Sequence, residues 1–202
     1  MPFLLRVSLP DVPGSLGRVA SAIGEAGGDI EAIEIVEKTA EGYAVDDVLL
    51  ETLPGAMPDS IVSACNAIDG VSVLWINRYA AGGNLFLDLE VVEELTAHPA
   101  EAVDRVIDML PITFRVDWAA RVRRDGGRDE NVRATEAAPA ELSWHQLSRP
   151  ARIAGDEVME LCGAPLGEDV IVLGRRGGPE FLDSELARLG HLLGLATTIS
   201  KV

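Results

Sequence analysis

Residues 9–16 read Leu-Pro-Asp-Val-Pro-Gly-Ser-Leu, and this stretch decides the fold of the N-terminal part of the chain. The apolar run Phe3 to Leu9 predicts a strand, and the Pro-Asp-x-Pro-Gly turn after it leads directly into a helix. Pro13 suits the first helical position, because its missing N–H and fixed φ are no disadvantage there. Gly14 has no side chain to shield the free N–H groups that follow it. This helix end can therefore accept a carboxylate or a phosphate.

The residues after this turn predict a second strand, a hairpin and a second helix. Apolar residues recur at helical spacing up to Gly27-Gly28, which ends the first helix. The next strand is predicted to alternate strictly, with Ile30, Ala32, Glu34 and Val36 on one face and Glu31, Ile33 and Ile35 on the other. The remaining expected elements are a hairpin turn at Glu41-Gly42, a strand from Tyr43 to Leu50, a helix from Asp59 to Ile68 ended by Asp69-Gly70, and a strand from Val71 to Ile76.

Residues 3–78 resemble the ACT domain, a small ligand-sensing module of amino-acid metabolism. Two motifs carry the resemblance: Asp-x-Pro-Gly-x-Leu at residues 11–16 and Gly-Gly-Asp-Ile at residues 27–30. The predicted βαββαβ order agrees, although many unrelated proteins share that order. The resemblance implies an α+β protein whose first domain, residues 1–78, has the ferredoxin-like fold.

The resemblance also implies where a ligand binds. ACT domains pair side by side, extending the sheet across two subunits, and amino acids bind at that interface. Backbone amides at the helix start would bind the ligand carboxylate, and a side-chain oxygen near Asp29 would bind its ammonium. Many family members have Asn at the position of Asp29. The carboxylate of Asp29 still accepts a hydrogen bond from an ammonium but adds a negative charge, so the identity of the amino acid stays open. The implied binding site has two walls, one from each chain. The first wall consists of Asp11, Val12, Gly14, Ser15 and Leu16, and the second wall consists of Asp29, Ile30 and Glu31 of the other chain.

The pattern changes at residues 79–84, where we expect a linker, and residues 85–202 are expected to form an α/β domain. The first helix, Leu85 to Ala97, is predicted to bury Leu85, Leu89, Val92 and Leu95, and the second, after Pro99, to bury Val103, Val106, Ile107 and Leu110. The later expectations are a strand from Ile112 to Val122, a hairpin turn at Asp125-Gly126-Gly127 with a partner strand from Val132 to Glu136, a loop with a short helix from Pro139 to Arg152, a buried strand from Val170 to Gly174, and a helix from Ser184 to Leu195 capped by Asp183 or Ser184.

The closing segment, Val170 to Ala196, resembles the end of a GAF domain. In that family a central strand leads through a Gly-Pro-x-Phe turn, here Gly178 to Phe181, into a helix packed behind the sheet. The resemblance implies either a pocket for a small molecule or a module that serves only dimerisation.

Composition excludes several classes of partner. The net charge is −16, with 12 acidic and 4 basic side chains in residues 1–78 and 21 and 13 in residues 79–202. A field of this sign repels nucleic acid and anionic membranes. The apolar runs fall short of the roughly 20 residues that a bilayer requires. No basic leader precedes Pro10-Asp11, and the two cysteines predict no disulfide framework, so we expect a cytoplasmic protein.

No set of residues predicts catalysis, a metal site or a cofactor. The histidines, His98, His145 and His191, are far apart and lack acidic or cysteine partners at ligand spacing. Cys65 is expected to be a buried apolar residue, and Cys162 to be more exposed but without an activating neighbour. Arg121, Arg123, Arg124 and Arg128 surround a predicted hairpin tip. We expect local ion pairs there, with a phosphate-bearing ligand or an acidic partner as the alternative.

The sequence therefore predicts a non-enzymatic regulatory protein, a homodimer that binds an amino acid effector through its ACT domain. Two alternatives stay open at this point. The ACT fold could only dimerise and bind nothing small, or sensing could reside in the second domain. The sequence names neither the effector nor the downstream partner.

Overall fold

The computed structural model describes residues 2–78, 83–156 and 158–201. The chain divides into two compact units, Met1–Ala81 and Gly82–Val202. Most of the expected linker, residues 79–82, lies outside the described residues, and the next helix begins at Gly83 rather than Leu85. None of the described helices is long and apolar enough to span a membrane.

Within residues 2–78, the first unit forms a four-stranded antiparallel sheet with two helices. Its elements are β1 (Pro2–Pro10), α1 (Ser15–Glu25), β2 (Gly28–Lys38), β3 (Tyr43–Thr52), α2 (Pro58–Asn66) and β4 (Ser72–Arg78). The strand order β2-β3-β1-β4 puts β1 and β3 in the centre. Alternate residues of β1 form one core with the apolar faces of both helices. The ferredoxin-like prediction for this unit is confirmed.

Strand β2 departs from the strict alternation that we expected. Ile30 and Ile33 both pack against the core, although they are three residues apart. The pairing of β2 with β3 skips Glu31, and a second irregularity lies between Ile35 and Glu37. A β-bulge adds one unpaired residue, so the side chains after it change faces. The predicted faces of this strand were wrong for that reason.

Within residues 83–156 and 158–201, the second unit forms a five-stranded antiparallel sheet of order β6-β5-β9-β8-β7. The buried strand that we predicted from Val170 is β9, and the two-residue turn at Gly126-Gly127 is also confirmed. The elements are α3 (Gly83–Ala97), a 3₁₀ turn (Pro99–Glu101), α4 (Ala102–Phe114), β5 (Trp118–Asp125), β6 (Arg128–Ala134), β7 (Ala151–Ile153), β8 (Met159–Leu166), β9 (Asp169–Arg176) and α5 (Asp183–Ile199). Helices α4 and α5 pack against one face of this sheet, and α3 packs against these two helices.

The strand expected from Ile112 is instead the last turn of α4. A proline usually ends a helix, and the β-branched residues Ile112 and Thr113 that follow Pro111 favour a strand. The helix continues through Pro111 to Phe114, and Arg115 ends it in the left-handed conformation, with φ 51°. Phe114 is buried in the core, and packing of this kind decides helix formation more strongly than local propensity. Strand β5 therefore begins only at Trp118.

Helix α3 buries a face that agrees with the prediction only in part. Leu95 is buried as predicted and Val91 is buried as well, whereas Leu89 is 53% exposed. The buried face also carries Asp88, whose carboxylate pairs with Arg188 of α5. The apolar face predicted for α4 is confirmed by three fully buried residues, Val106, Ile107 and Leu110, against which Val103 packs.

The long segment before β7 covers the second face of the five-stranded sheet. Leu142, Trp144 and Leu147 pack there against a cluster that includes Trp118. The short helix expected between Pro139 and Arg152 is absent from this described segment, and strands β7 and β8 were not predicted. The N-cap of α5 is Leu182, whose N–H donates to Glu185, rather than Asp183 or Ser184.

Candidate functional site

The helix after β1 begins two residues later than the sequence predicted, because the turn before it includes a left-handed residue. Helix α1 begins at Ser15, and its N-cap is Gly14, with φ +90°. The prediction that Pro13 takes the first helical position was therefore wrong. A positive φ of this size strains any residue that has a Cβ atom. Gly14 is needed for the backbone turn itself, in addition to the open space it leaves.

Two backbone amides at this helix end have no acceptor among the described residues. An α-helix leaves its first four N–H groups without intrahelical partners. Here the Ser15 N–H donates to the Val12 carbonyl and the Arg18 N–H to the Gly14 carbonyl, each at 3.2 Å. No side chain caps the helix. The N–H groups of Leu16 and Gly17 are left over for a ligand.

The surface above these amides is open. A Cβ atom added at Gly14 or at Gly17 would meet nothing within 4 Å. Both glycines line a groove of about 730 Å³ that continues along α1 to Ala64 and Ala67 near the end of α2. A small anion can therefore approach the backbone without displacing a side chain.

The polar residues of the loop are anchored to the sheet. The Asp11 carboxylate accepts a hydrogen bond from Lys38 Nζ at 2.8 Å, and the Asp11 N–H donates to the Gly42 carbonyl at 2.9 Å. Ser15 is buried and its Oγ accepts a long hydrogen bond, 3.4 Å, from Arg18. Val12 is 56% exposed at the tip. The first predicted wall is thus a fixed loop with one exposed apolar side chain.

The second predicted wall lies at the opposite end of the sheet in the same chain. Pro10, where the loop begins, pairs with Tyr43 at the start of β3, whereas Asp29 pairs with Glu51 near its end. Asp29 and Glu31 are exposed, and Ile30 packs into the core. One chain therefore does not bring the two predicted walls together.

Asp46, which the sequence reasoning missed, is buried close to the first wall. It is 2% exposed, and its Oδ1 atom has no hydrogen-bond partner among the described residues. Burial raises the pKa of this carboxyl, the negative charges of Asp11 and Asp47 raise it further, and Lys38 acts in the opposite direction. The signal in the sequence was two acidic residues inside an apolar strand, Asp46-Asp47, one of which had to face the core.

The arginines of the second unit form ion pairs, as expected for three of the four. Arg121 and Arg123 both bind the Asp169 carboxylate. Arg124 binds Asp129, and its guanidinium lies 4.9 Å from the centre of the Trp144 ring. The hydrogen bond from Arg123 is the main cause that lowers the pKa of Asp169. These arginines are occupied by their own acidic partners, which disfavours the phosphate alternative.

The described residues provide no other reactive set. They contain no group of three or more side chains placed to hold a metal ion. Cys65 is fully buried, as predicted, and Cys162 is also buried, at 1% exposure, contrary to the prediction. Burial raises the pKa of the Cys162 thiol, which therefore stays protonated and unreactive at neutral pH.

Comparison with known proteins matches part of the first unit to a family. Residues 3–55 match the family model of the ACT domain. Over 64 residues the chain is 36% identical to NAD-dependent malic enzyme 1 of Bacillus subtilis (strain 168); the match covers 32% of this chain and 14% of that enzyme. The chain thus spans only about a seventh of this relative.

Three solved structures are similar to this chain at low identity. The GAF domain of an Acinetobacter phosphoenolpyruvate-protein phosphotransferase has 13% identity and a TM-score of 0.44, with 60% of this chain and 95% of that domain covered. An unknown protein of Galdieria sulphuraria has 12% identity and a TM-score of 0.35, with 99% and 91% covered. A formyltetrahydrofolate deformylase of Pseudomonas putida KT2440 has 10% identity and a TM-score of 0.32, with 48% and 39% covered.

The family match covers the first four elements of this unit, from β1 to β3. This part of the first unit, residues 3–55, is an ACT domain.

Proposed function

We propose that this chain is a cytoplasmic regulatory protein without enzymatic activity, and that two copies bind an amino acid between their ACT domains. The observation that carries the proposal is the pair of N–H groups at Leu16 and Gly17, which have no acceptor among the described residues and no side chain above them. A helix N-terminus carries roughly half a positive charge. It therefore attracts the carboxylate of an amino acid.

A second copy supplies the other half of the site. The loop and the start of β2 lie at opposite ends of one sheet, so a partner in the antiparallel orientation brings its own β2 start to the loop. The exposed carboxylates of Asp29 and Glu31 then face the ammonium of the ligand. Strand β2 lies at the edge of the sheet, where a second sheet can be added.

The outer face of α1 has the charge pattern that such a pairing needs. Arg18 and Glu25 are exposed and lie two turns apart on one face. The small residues Ser21 and Ala22 lie between them in the groove, and Gly17 lies next to Arg18. When two copies of α1 pack antiparallel about Ser21, each Arg18 meets the Glu25 of the other copy. The same arrangement sets the start of one α1 beside the start of the other β2.

A charge-reversal series tests the assembly. We expect the parent protein to be a dimer, and Arg18→Glu or Glu25→Arg alone to weaken it because like charges then face each other. The double variant, with both reversals, should recover the dimer. Sedimentation at several protein concentrations gives the dissociation constants. A parent that stays a monomer of 21.5 kDa at all concentrations, or a double variant as weak as the singles, contradicts the pairing.

A thermal-shift panel of the twenty amino acids tests the ligand. At 100 times its Kd, a bound amino acid stabilises the folded protein by about 2.7 kcal/mol. Gly17→Val should remove the shift, because it puts a branched side chain over the two amides at a position that has room for it. Gly14→Val is unsuitable, since its φ is +90°. Gly194→Val in α5 makes the same change in an open helical position of the other unit and should leave binding intact.

The panel also separates this function from its main rival. If two copies associate through the ACT domain but no amino acid raises the melting temperature, the domain serves assembly only. If a ligand binds and Gly17→Val does not weaken it, the binding site lies elsewhere, and sensing through the second unit becomes the better account.

A further inference from the structure

Asp46 is an exceptional residue for the interior of a small domain. It lies in the middle of β3, it is 2% exposed, and its Oδ1 atom lacks a hydrogen-bond partner among the described residues. Its neighbour Asp47 is buried to the same degree, but that carboxylate receives two hydrogen bonds from Arg6, of 2.7 and 2.9 Å. Buried carboxylates are normally paired in this way. Asp46, by contrast, forms no ion pair among the described residues, and its Oδ1 atom stays without a donor.

The sheet register shows which way this carboxyl faces. Asp46 pairs with Val7 of β1, and Val7 packs in the same core as Val19 of α1. Side chains of directly paired residues lie on the same face of a sheet. Asp46 therefore points toward the side on which α1 lies. Its other cross-strand neighbour, Ile35 on the edge strand β2, is 52% exposed, so solvent reaches the side chain next to this carboxyl.

The charges around Asp46 leave it short of positive charge. Asp11, in the loop that leads into α1, acts on it as a second negative group, and so does Asp47. Lys38 is the nearby cation, but its ammonium is bound to Asp11. A small cationic group that enters beside the first turn of α1 would be attracted by both Asp46 and Asp11.

We infer that Asp46 is a ligand-binding residue that accepts a hydrogen bond from the ammonium of the amino acid whose carboxylate binds the Leu16 and Gly17 amides. This inference rests on the proposed function and adds a buried residue of the same chain to it. An ammonium has three N–H donors, so it can bind Asp46 below and the Asp29 region of the second copy at the same time. The site then selects α-amino acids over carboxylic acids that lack the amino group.

The test is Asp46→Asn in the full-length chain, with Asp69→Asn as a control that removes one exposed negative charge from the same unit. The probes are the twenty amino acids, each paired with its deamino acid, for example L-alanine with propionate. For the amino acid that binds the parent, we expect Asp46→Asn to weaken the affinity at least tenfold, measured by calorimetry. Asp69→Asn should bind like the parent, and the deamino acid should bind parent and Asp46→Asn equally weakly.

The unliganded Asp46→Asn protein should melt at a higher temperature than the parent, so loss of binding together with higher stability supports a role in binding. Asp46→Ala, which removes the polar group altogether, should show the same loss if Asp46→Asn fails to fold. Binding of the amino acid to either folded variant with the affinity of the parent overturns the inference and leaves the proposed function standing. A parent that binds none of the twenty amino acids overturns both.

Discussion

Asp46 in the first unit and Asp169 in the second are both buried aspartates on strands, at 2% and 4% exposure, yet their surroundings are opposite. Asp169 receives three hydrogen bonds from Arg121 and Arg123, of 2.5, 2.8 and 3.0 Å, and its pKa is lowered. Asp46 receives none at Oδ1, and its pKa is raised. The difference teaches that burial alone does not make an acidic residue structural. The partners decide whether a buried carboxylate is stabilised by ion pairs, as Asp169 is, or keeps an oxygen without a donor, as Asp46 does.

The largest effect is expected at Asp47, the fully paired neighbour of Asp46. Asp47→Ala should lower the free energy of unfolding by about 3–5 kcal/mol, because it removes the bidentate partner of a buried arginine. Urea denaturation followed by circular dichroism measures this. Replacing both members, Arg6→Met with Asp47→Leu, should recover most of the loss. A loss below about 1 kcal/mol for the single variant would show that this pair behaves like a surface pair.

Asp169→Asn should have the next largest effect and lower the free energy of unfolding by about 1–3 kcal/mol. The loss is smaller than at Asp47 because Arg121 and Arg123 are partly exposed, so water can hydrate them once the carboxylate is gone. The pKa of Asp169 is lower in the folded protein than in the unfolded chain, where it is about 3.9. The stabilisation is therefore present at pH values above the unfolded pKa and is lost as the pH falls through the folded pKa. The gap between parent and variant should therefore shrink in acid. Asp108→Asn, which breaks an exposed pair with Arg133, is the matched control and should cost about 0–1 kcal/mol.

Asp46→Asn should have a smaller effect of the opposite sign. We expect it to raise the free energy of unfolding by about 1 kcal/mol at pH 7. The pKa of Asp46 is higher in the folded protein than in the unfolded chain, where it is about 3.9. The buried charge therefore destabilises the parent at high pH, and this destabilisation is relieved as the pH falls through the folded pKa toward the unfolded pKa. The advantage of the variant should therefore be greatest near neutrality and decline on acidification. Asp11, Asp47 and Lys38 act on the same carboxyl. Melting curves from pH 4 to 8 that show a less stable variant at neutral pH would mean that Asp46 has a donor after all.

The smallest effects concern the two glycines at the start of α1. Gly17→Ala should raise stability by about 0.5–1 kcal/mol, because alanine favours a helix and its Cβ meets nothing within 4 Å. Gly14→Ala has the same open space but a φ of +90°, so it should lower stability by about 1 kcal/mol. Thermal melts of the two variants provide the comparison. Equal effects of both substitutions would contradict the helix start at Ser15.

Local turn chemistry made the first unit predictable. Gly27, Gly42 and Gly70 end or connect elements at positive φ where the sequence placed turns. The loop after β1 was located correctly, but the role of Pro13 was not, since the N-cap depends on a backbone angle that Pro-Gly does not dictate. The bulge at Glu31 also escaped prediction, because strand pairing and not composition determines it.

The second unit was predicted less well for a physical reason. Its strands β7 and β8 and the continuation of α4 past Pro111 are decided by packing against distant parts of the chain. The same holds for Asp46 and Asp169. Each is an acidic residue in an otherwise largely apolar strand, and only the fold brings arginines to Asp169 and leaves Asp46 without them. The sequence could locate such residues but could not assign their partners.

The central claim, a site shared by two chains, is tested most directly by mixing two defective proteins. One carries Gly17→Val, which blocks the loop, and the other carries Asp29→Ala with Glu31→Ala, which removes the oxygens of the second wall. Each homodimer lacks an intact site, whereas a mixed dimer contains one. We expect neither protein alone to bind the amino acid that binds the parent, and the mixture, after exchange of subunits, to recover binding at one ligand per mixed dimer in calorimetry. A mixture that stays inactive while mixed dimers form, or an Asp29 and Glu31 variant that binds alone, would contradict the account.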